Sequence, residues 1–174
     1  MGAHGMERNV YRVVFALYLA GLIWLVLFKF THNLAATLSD HHRSLNLVPF
    51  AAPKVENGHT NYGEAIENLV FFIPFGLLLS VCFKGMGFAA KLAIVFASSL
   101  GVEIIQYVFA IGASDITDVI MNTAGGGVGL ALYAGASRVI PAKWLDRIII
   151  ALGLALLAVF VTMEVGHTIR RSMR

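Results

Sequence analysis

The chain has 174 residues, 58% of them hydrophobic and 13% charged, with a mean hydropathy of +0.77 and a formal net charge of +3. Soluble domains carry about 25% charged residues, so there is too little polar surface here to cover a water-soluble fold. The positive balance belongs at helix ends beside anionic lipid, not on a nucleic-acid-binding face.

The first apolar run, Val10–Phe30, exceeds the ~7–15-residue core of a cleavable signal and reads as a retained anchor. Met6 stands where a myristoylation motif needs Ser or Thr. Four more runs follow, at Ala65–Phe83, Phe88–Phe109, Ile116–Ala136 and Ile148–Gly166. Each is long enough to cross a hydrocarbon core of ~30 Å as a helix. The runs are continuous, not alternating, so helices are implied and a barrel is not. The expected fold is all-α: a polytopic transmembrane bundle of five spans, a four-span core plus a C-terminal span, in a single membrane domain over residues 1–174. The lone cysteine, Cys82, lies in the second run and leaves the redox compartment unconstrained.

The connections differ in kind. Thr31–Glu64 is long and polar, and it contains the apolar stretch Asn46-Leu47-Val48-Pro49-Phe50, which is expected to fold back onto the helices or the bilayer surface. Its His41, His42 and His59 lack the spacing of a helical metal site and read as solvated. Lys84–Gly87 and Ala110–Asp115 are short. Ser137–Arg147 is basic, with Pro141 expected to end the helix before it. With the N-terminus inside, the inner side holds Arg8, Arg12, Lys84, Lys91, Arg138, Lys143 and Arg147. The outer side holds Lys29, Arg43 and Lys54, plus Arg170, Arg171 and Arg174 in the tail. This asymmetry orients the first four spans. The fifth conflicts with it, and the uncharged stretch Ile148–Val161 favours a span over an interfacial helix.

Three helix ends bring polar residues to the outer side: Glu64, Glu67 and Asn68 on span two, Glu103 and Gln106 on span three, and Asp115, Asp118 and Asn122 on span four. No equivalent group is expected at the inner ends. Glu103 and Gln106 share a face that Ser99 continues inward. Asp118, Asn122, Gly125 and Gly129 form one stripe, polar and then glycine, with a Gly-x-x-x-Gly pair suited to close helix approach; Leu130 is expected to point elsewhere. A carboxylate at Glu103 costs a few kcal/mol on insertion scales and needs a partner, water or a proton. Asp115 and Asp118 have a structural alternative in capping span four, and Glu67 and Asn68 have one at the start of span two. The candidate binding residues are therefore Glu67, Asn68, Glu103, Gln106, Asp115, Asp118 and Asn122. Glu103, Asp118 and Glu67 are the candidates should there be catalysis.

Four segments in order carry a resemblance: Asn46-Leu47-Val48-Pro49-Phe50; Glu67-Asn68-Leu69-Val70-Phe71-Phe72-Ile73-Pro74-Phe75-Gly76; Glu103-Ile104-Ile105-Gln106; and Asp115 through Gly129, beginning Asp115-Ile116-Thr117-Asp118. Over about residues 22–136 the chain resembles the VanZ-like family, with the span at about 148–166 outside the core of the likeness. The resemblance implies a multi-pass protein of the bacterial cytoplasmic membrane. It also implies a family whose founding member is associated with teicoplanin resistance and is not one of the enzymes that rebuild the peptidoglycan stem peptide. Members often carry an Arg shortly before the Asp-rich start of span four. Here Gly112 or Ala113 occupies that place, so this chain lacks that Arg or uses Arg43 or Lys54 of the long connection instead.

Three functions fit these residues. One is a non-catalytic binding or assembly factor in envelope maintenance or glycopeptide susceptibility, with a cell-envelope precursor, a glycopeptide or an envelope protein as partner beside membrane lipid. A second is a membrane enzyme acting on an envelope lipid or lipid-linked sugar, its carboxylates working as acid and base or holding a divalent cation. A third is a small transporter or proton-coupled channel, which calls for polar groups continued to the inner side. No cofactor and no nucleic acid are expected, and a metal is left open.

Overall fold

The computed structural model describes residues 3–28, 43–51, 54–56, 59–61 and 63–172. Among the described residues five helices follow one another: α1 (Ala3–Phe28), α2 (Gly63–Cys82), α3 (Phe88–Phe109), α4 (Ile116–Ala136) and α5 (Ala142–Ser172). Each contains a stretch long and apolar enough to cross a membrane, so the chain is a multi-pass helical bundle. The spans expected at Phe88–Phe109 and Ile116–Ala136 coincide with α3 and α4. The fifth helix begins earlier than expected, and Pro141 opens it instead of closing α4. The Pro141 carbonyl accepts from the amides of Trp144 (2.9 Å) and Leu145 (3.2 Å), and a proline tolerates this position because a first-turn N–H has no helical partner.

The bundle is built around α2, which buries Phe72, Phe75, Leu78 and Leu79. Its tightest neighbour is α4, and the glycine stripe is the reason. A Cβ added to Gly125 would lie 2.0 Å from the Leu69 carbonyl oxygen, and one on Gly129 2.1 Å from that of Ile73. From the other side, a Cβ on Gly76 would lie 2.1 Å from the Gly126 oxygen. The two backbones are in direct contact, as small residues allow between membrane helices. Leu130 does not point away from this seam: it is buried in the core.

α1 lays Val14, Tyr18, Leu22 and Val26, four residues apart, against the bundle. The Phe15 and Phe75 rings stack at 5.7 Å. The Tyr18 hydroxyl donates to the Phe71 carbonyl at 2.9 Å, next to Val70, whose carbonyl lacks a helical donor because Pro74 has no N–H. α5 lies outermost, with Leu78 and Val14 packed over Gly153 and with Leu157 and Phe160 over Gly21.

Two short ladders in the connections supplement the helices. β1 (Arg43–Asn46) pairs in parallel with β4 (Gly112–Asp115), and β2 (Lys54–Glu56) pairs antiparallel with β3 (His59–Asn61). The first ladder ties the long connection to the α3–α4 link. His41 and His42, and the side chains of Arg43, Lys54 and His59, lie outside the described set.

The opposite end of the bundle also departs from expectation, because it carries a polar group of its own. Asp146 is 4% exposed. Its carboxylate pairs with the Lys84 ammonium and accepts the Tyr133 hydroxyl at 2.9 Å. Three segments are thereby fastened together: the α2–α3 turn, α4 and α5.

Candidate functional site

The site is organised by α3. Spacings of four and three place Ser99, Glu103 and Gln106 on one buried face, and each reaches a different neighbour. Ser99 accepts from the Asn122 amide of α4 at 2.9 Å. Gln106 donates through Nε2 to the Val26 carbonyl of α1 at 3.3 Å. Glu103 holds the link that follows α3: its Oε2 accepts the Ser114 hydroxyl (3.1 Å) and the Asp115 backbone amide (2.9 Å). Ser114 shares its proton with the Glu103 carbonyl at 2.9 Å.

The sharp reversal after α3 makes this possible. Ala110 takes a left-handed conformation (φ 53°), and the amides of Ala110 and Ile111 return to the carbonyls of Tyr107 and Gln106. This paired closure of a helix end normally falls to glycine. The chain then runs back past Glu103 as β4 and enters α4 at Asp115. Asp115 caps α4 by accepting the Thr117 amide at 2.7 Å and takes the Asn46 side-chain amide at 3.0 Å. Asn46 also accepts from the Val48 amide (3.1 Å), and the Phe50 amide donates to the Thr117 hydroxyl (3.0 Å).

The structure thus joins Glu103, Asp115, Asn46 and Ser114 in one network, with Gln106 of α3 on one side of it and Asn122 of α4, held by Ser99, on the other. Asn68 and Asn122 are completely buried, and Glu103 and Gln106 nearly so. Asp115 and Asp118 are half-buried. Glu67 does not join them: its side chain is exposed. Asn122 meets Ser99, one turn deeper than Glu103, rather than Glu103 itself. Asn46, Ser114 and Thr117 were not evident as site residues from the sequence. Asn46 carried a signal, being an amide between Leu45 and Leu47 in an apolar stretch, where a polar side chain needs a partner.

Two acceptors within this group have no hydrogen-bond partner among the described residues: Gln106 Oε1 and Asn122 Oδ1. The Gln106 orientation is fixed chemically. Its partner, the Val26 carbonyl, can only accept, so the nitrogen faces Val26 and the oxygen is left over. Among the described residues no three His, Cys, Asp or Glu side chains converge as a metal-binding set. Gly112 and Ala113 stand in β4 in register with Arg43 and Ser44 of β1, so a basic residue of the long connection is the strand neighbour of the glycine.

A sequence model of the VanZ/LLP1 family matches residues 15–140, from α1 through α4. Protein VanZ of Enterococcus faecium is 50% identical over 156 residues, covering 90% of this chain and 93% of that protein. No solved structure matches. The matched region holds every residue of the network just described, and over this extent of likeness the chain belongs to the VanZ/LLP1 family.

Proposed function

We propose that this chain is a non-catalytic binding factor of the bacterial cytoplasmic membrane, and that its carboxylate/amide site takes up the hydrogen-bond-donating head of an envelope molecule. The head would carry ammonium or hydroxyl groups, and the setting would be envelope maintenance or glycopeptide (teicoplanin-type) susceptibility. The observation that carries this reading is the buried acceptor Gln106 Oε1 beside Glu103, which has no hydrogen-bond partner among the described residues, with Asn122 Oδ1 a second such atom one turn deeper. A buried acceptor without a donor costs roughly 1–3 kcal/mol, and a donor-bearing ligand removes that cost. Membership of the VanZ/LLP1 family supports the setting. The Lys/Arg asymmetry supports an N-terminus inside and the site facing outward.

The competing readings are less well supported by the same geometry. Acid–base catalysis needs a carboxylate free to take and give a proton, whereas Glu103 Oε2 holds Ser114 and the Asp115 amide and the two Asp115 oxygens accept from Thr117 and Asn46; a carboxylate held in this way still attracts a donor-bearing head by its charge. A transport path needs polar groups continued inward from Ser99, but the next residue on that face is Val95, which separates Ser99 from the buried Lys91 one turn further on. Val95 is fully buried, and its methyl lies only 2.4 Å from where a Gly126 Cβ would be.

The test is native mass spectrometry of the detergent-extracted chain beside Glu103→Gln. The variant keeps the shape and an acceptor for Ser114 and Asp115 while losing the charge. The expected result is a co-purified envelope molecule on the parent and none on the folded variant. Equal retention by both, or turnover of the bound species by the parent, would overturn the reading.

A further inference from the structure

Residues 45–50 expose Leu45, Leu47, Val48 and Phe50, with Leu47 67% accessible. We propose that this segment is a ledge immersed in the acyl-chain boundary of the leaflet at the site end, and that its occupant is bilayer lipid. The inference does not depend on what the site binds.

The depth of the segment comes from its attachments. α4 has 21 residues, about 32 Å at ~1.5 Å per residue, which matches the hydrocarbon thickness of ~30 Å. Its first turn therefore lies at the hydrocarbon boundary. The segment is bound to that turn twice, by Asn46 to Asp115 and by the Phe50 amide to Thr117, and the β1–β4 ladder fixes the residues before it. These ties hold it at the level of that boundary. Ile120, one turn below Thr117, is itself exposed, so that side of α4 is not covered by the described residues at the depth of the acyl chains.

The turn chemistry points the same way. The Ala51 amide returns to the Val48 carbonyl at 3.3 Å, which closes a turn with Pro49 second and Phe50 third. Phe50 has φ 57°. That position usually takes glycine, and a bulky residue there is strained. A phenylalanine held in this conformation with its ring exposed gains nothing in water, whereas aromatic rings are favoured at membrane interfaces.

The experiment uses the full chain in lipid nanodiscs on a Trp24→Phe, Trp144→Phe background, with a single reporter at Leu47→Trp and a second, independent one at Phe50→Trp. Ile120→Trp is the lipid-facing reference and Gly85→Trp the water-facing one. Lipids brominated near the top of the acyl chain and aqueous iodide are the two quenchers. Quenching by brominated lipid comparable to Ile120→Trp, with blue-shifted emission and protection from iodide, is expected at both ledge positions. Iodide quenching like that of Gly85→Trp would place the segment in water. Quenching by neither would show a protein cover, a second copy or a partner. Both of those results overturn the proposal.

Discussion

The two ends of the bundle solve the same problem in opposite ways. At one end a single buried carboxylate, Asp146, meets the Lys84 ammonium and the Tyr133 hydroxyl, so its charge is balanced and both oxygens are engaged. At the other, Glu103 and Asp115 brace a reversal of the chain, and two amide oxygens nearby have no donor among the described residues. Burial alone therefore does not mark a functional site. Asp146 and Glu103 are equally buried, but the first belongs to a closed lock and the second to a group with acceptor capacity to spare.

The largest expected effect comes from the middle of the molecule, where α2 and α4 hold both ends in place. Gly125→Ala puts a methyl against the Leu69 carbonyl, and no rotamer can relieve a clash with backbone. A loss of about 3 kcal/mol or more is expected, read as a large fall in detergent melting temperature. Gly101→Ala, on the open side of α3 with nothing within 4 Å, should leave melting unchanged or raise it. Leu130 is no control here because it is buried; the exposed Leu132 is.

Next is the closed end. Asp146→Ala strands the Tyr133 hydroxyl and removes the partner of Lys84, and a loss of about 1–3 kcal/mol is expected from the orphaned groups. Glu7→Gln, which breaks the solvent-exposed pair with Arg147 at 3.0 Å, should leave the melting temperature where it was. Equal shifts for the two variants would mean that Asp146 is no lock.

A smaller and more local effect is expected at Asn46→Ala, which removes the bond to Asp115 and the acceptor for the Val48 amide. The cost should be about 1 kcal/mol, confined to the first ladder. Hydrogen exchange should quicken across residues 43–51 and 112–115 while α2 keeps its protection.

These variants also mark where the sequence was readable. α3 and α4 were legible to the residue because glycines and short turns punctuate uniformly apolar runs. The Gly125/Gly129 seam was legible because its period is that of a helix. The β1–β4 ladder was not, since it joins four-residue segments about 70 positions apart, and no local pattern encodes that pairing. Asp146 was hidden by its basic surroundings, Lys143 and Arg147, which made the link look solvated. Its spacing of three and four to Ile149 and Ile150, both buried, was the available signal. Glu67 erred the other way: it shares a polar helix end with Asn68, but one step around a helix turns a side chain by about 100°, enough to separate a buried amide from an exposed carboxylate.

The finest test of the difference between the ends is Gln106→Met, because it should barely move stability. Methionine matches glutamine in length and flexibility. The substitution gives up the bond from Nε2 to the Val26 carbonyl, a net contribution of about 1 kcal/mol, and it also removes a buried oxygen that has no partner among the described residues and whose desolvation costs roughly 1–3 kcal/mol. The two changes oppose each other, so melting should stay within about 1 kcal/mol of the parent or rise slightly. The corresponding replacement at the saturated end, Asp146→Ala, has no such offset and should destabilise. If the spare acceptor at Gln106 is there to meet a ligand, the variant will melt normally and come out of the membrane without the molecule that the parent carries. A clear drop in melting temperature would instead show that Gln106 is a structural tie between α1 and α3, as Asp146 is at the other end, and the contrast between the two ends would disappear.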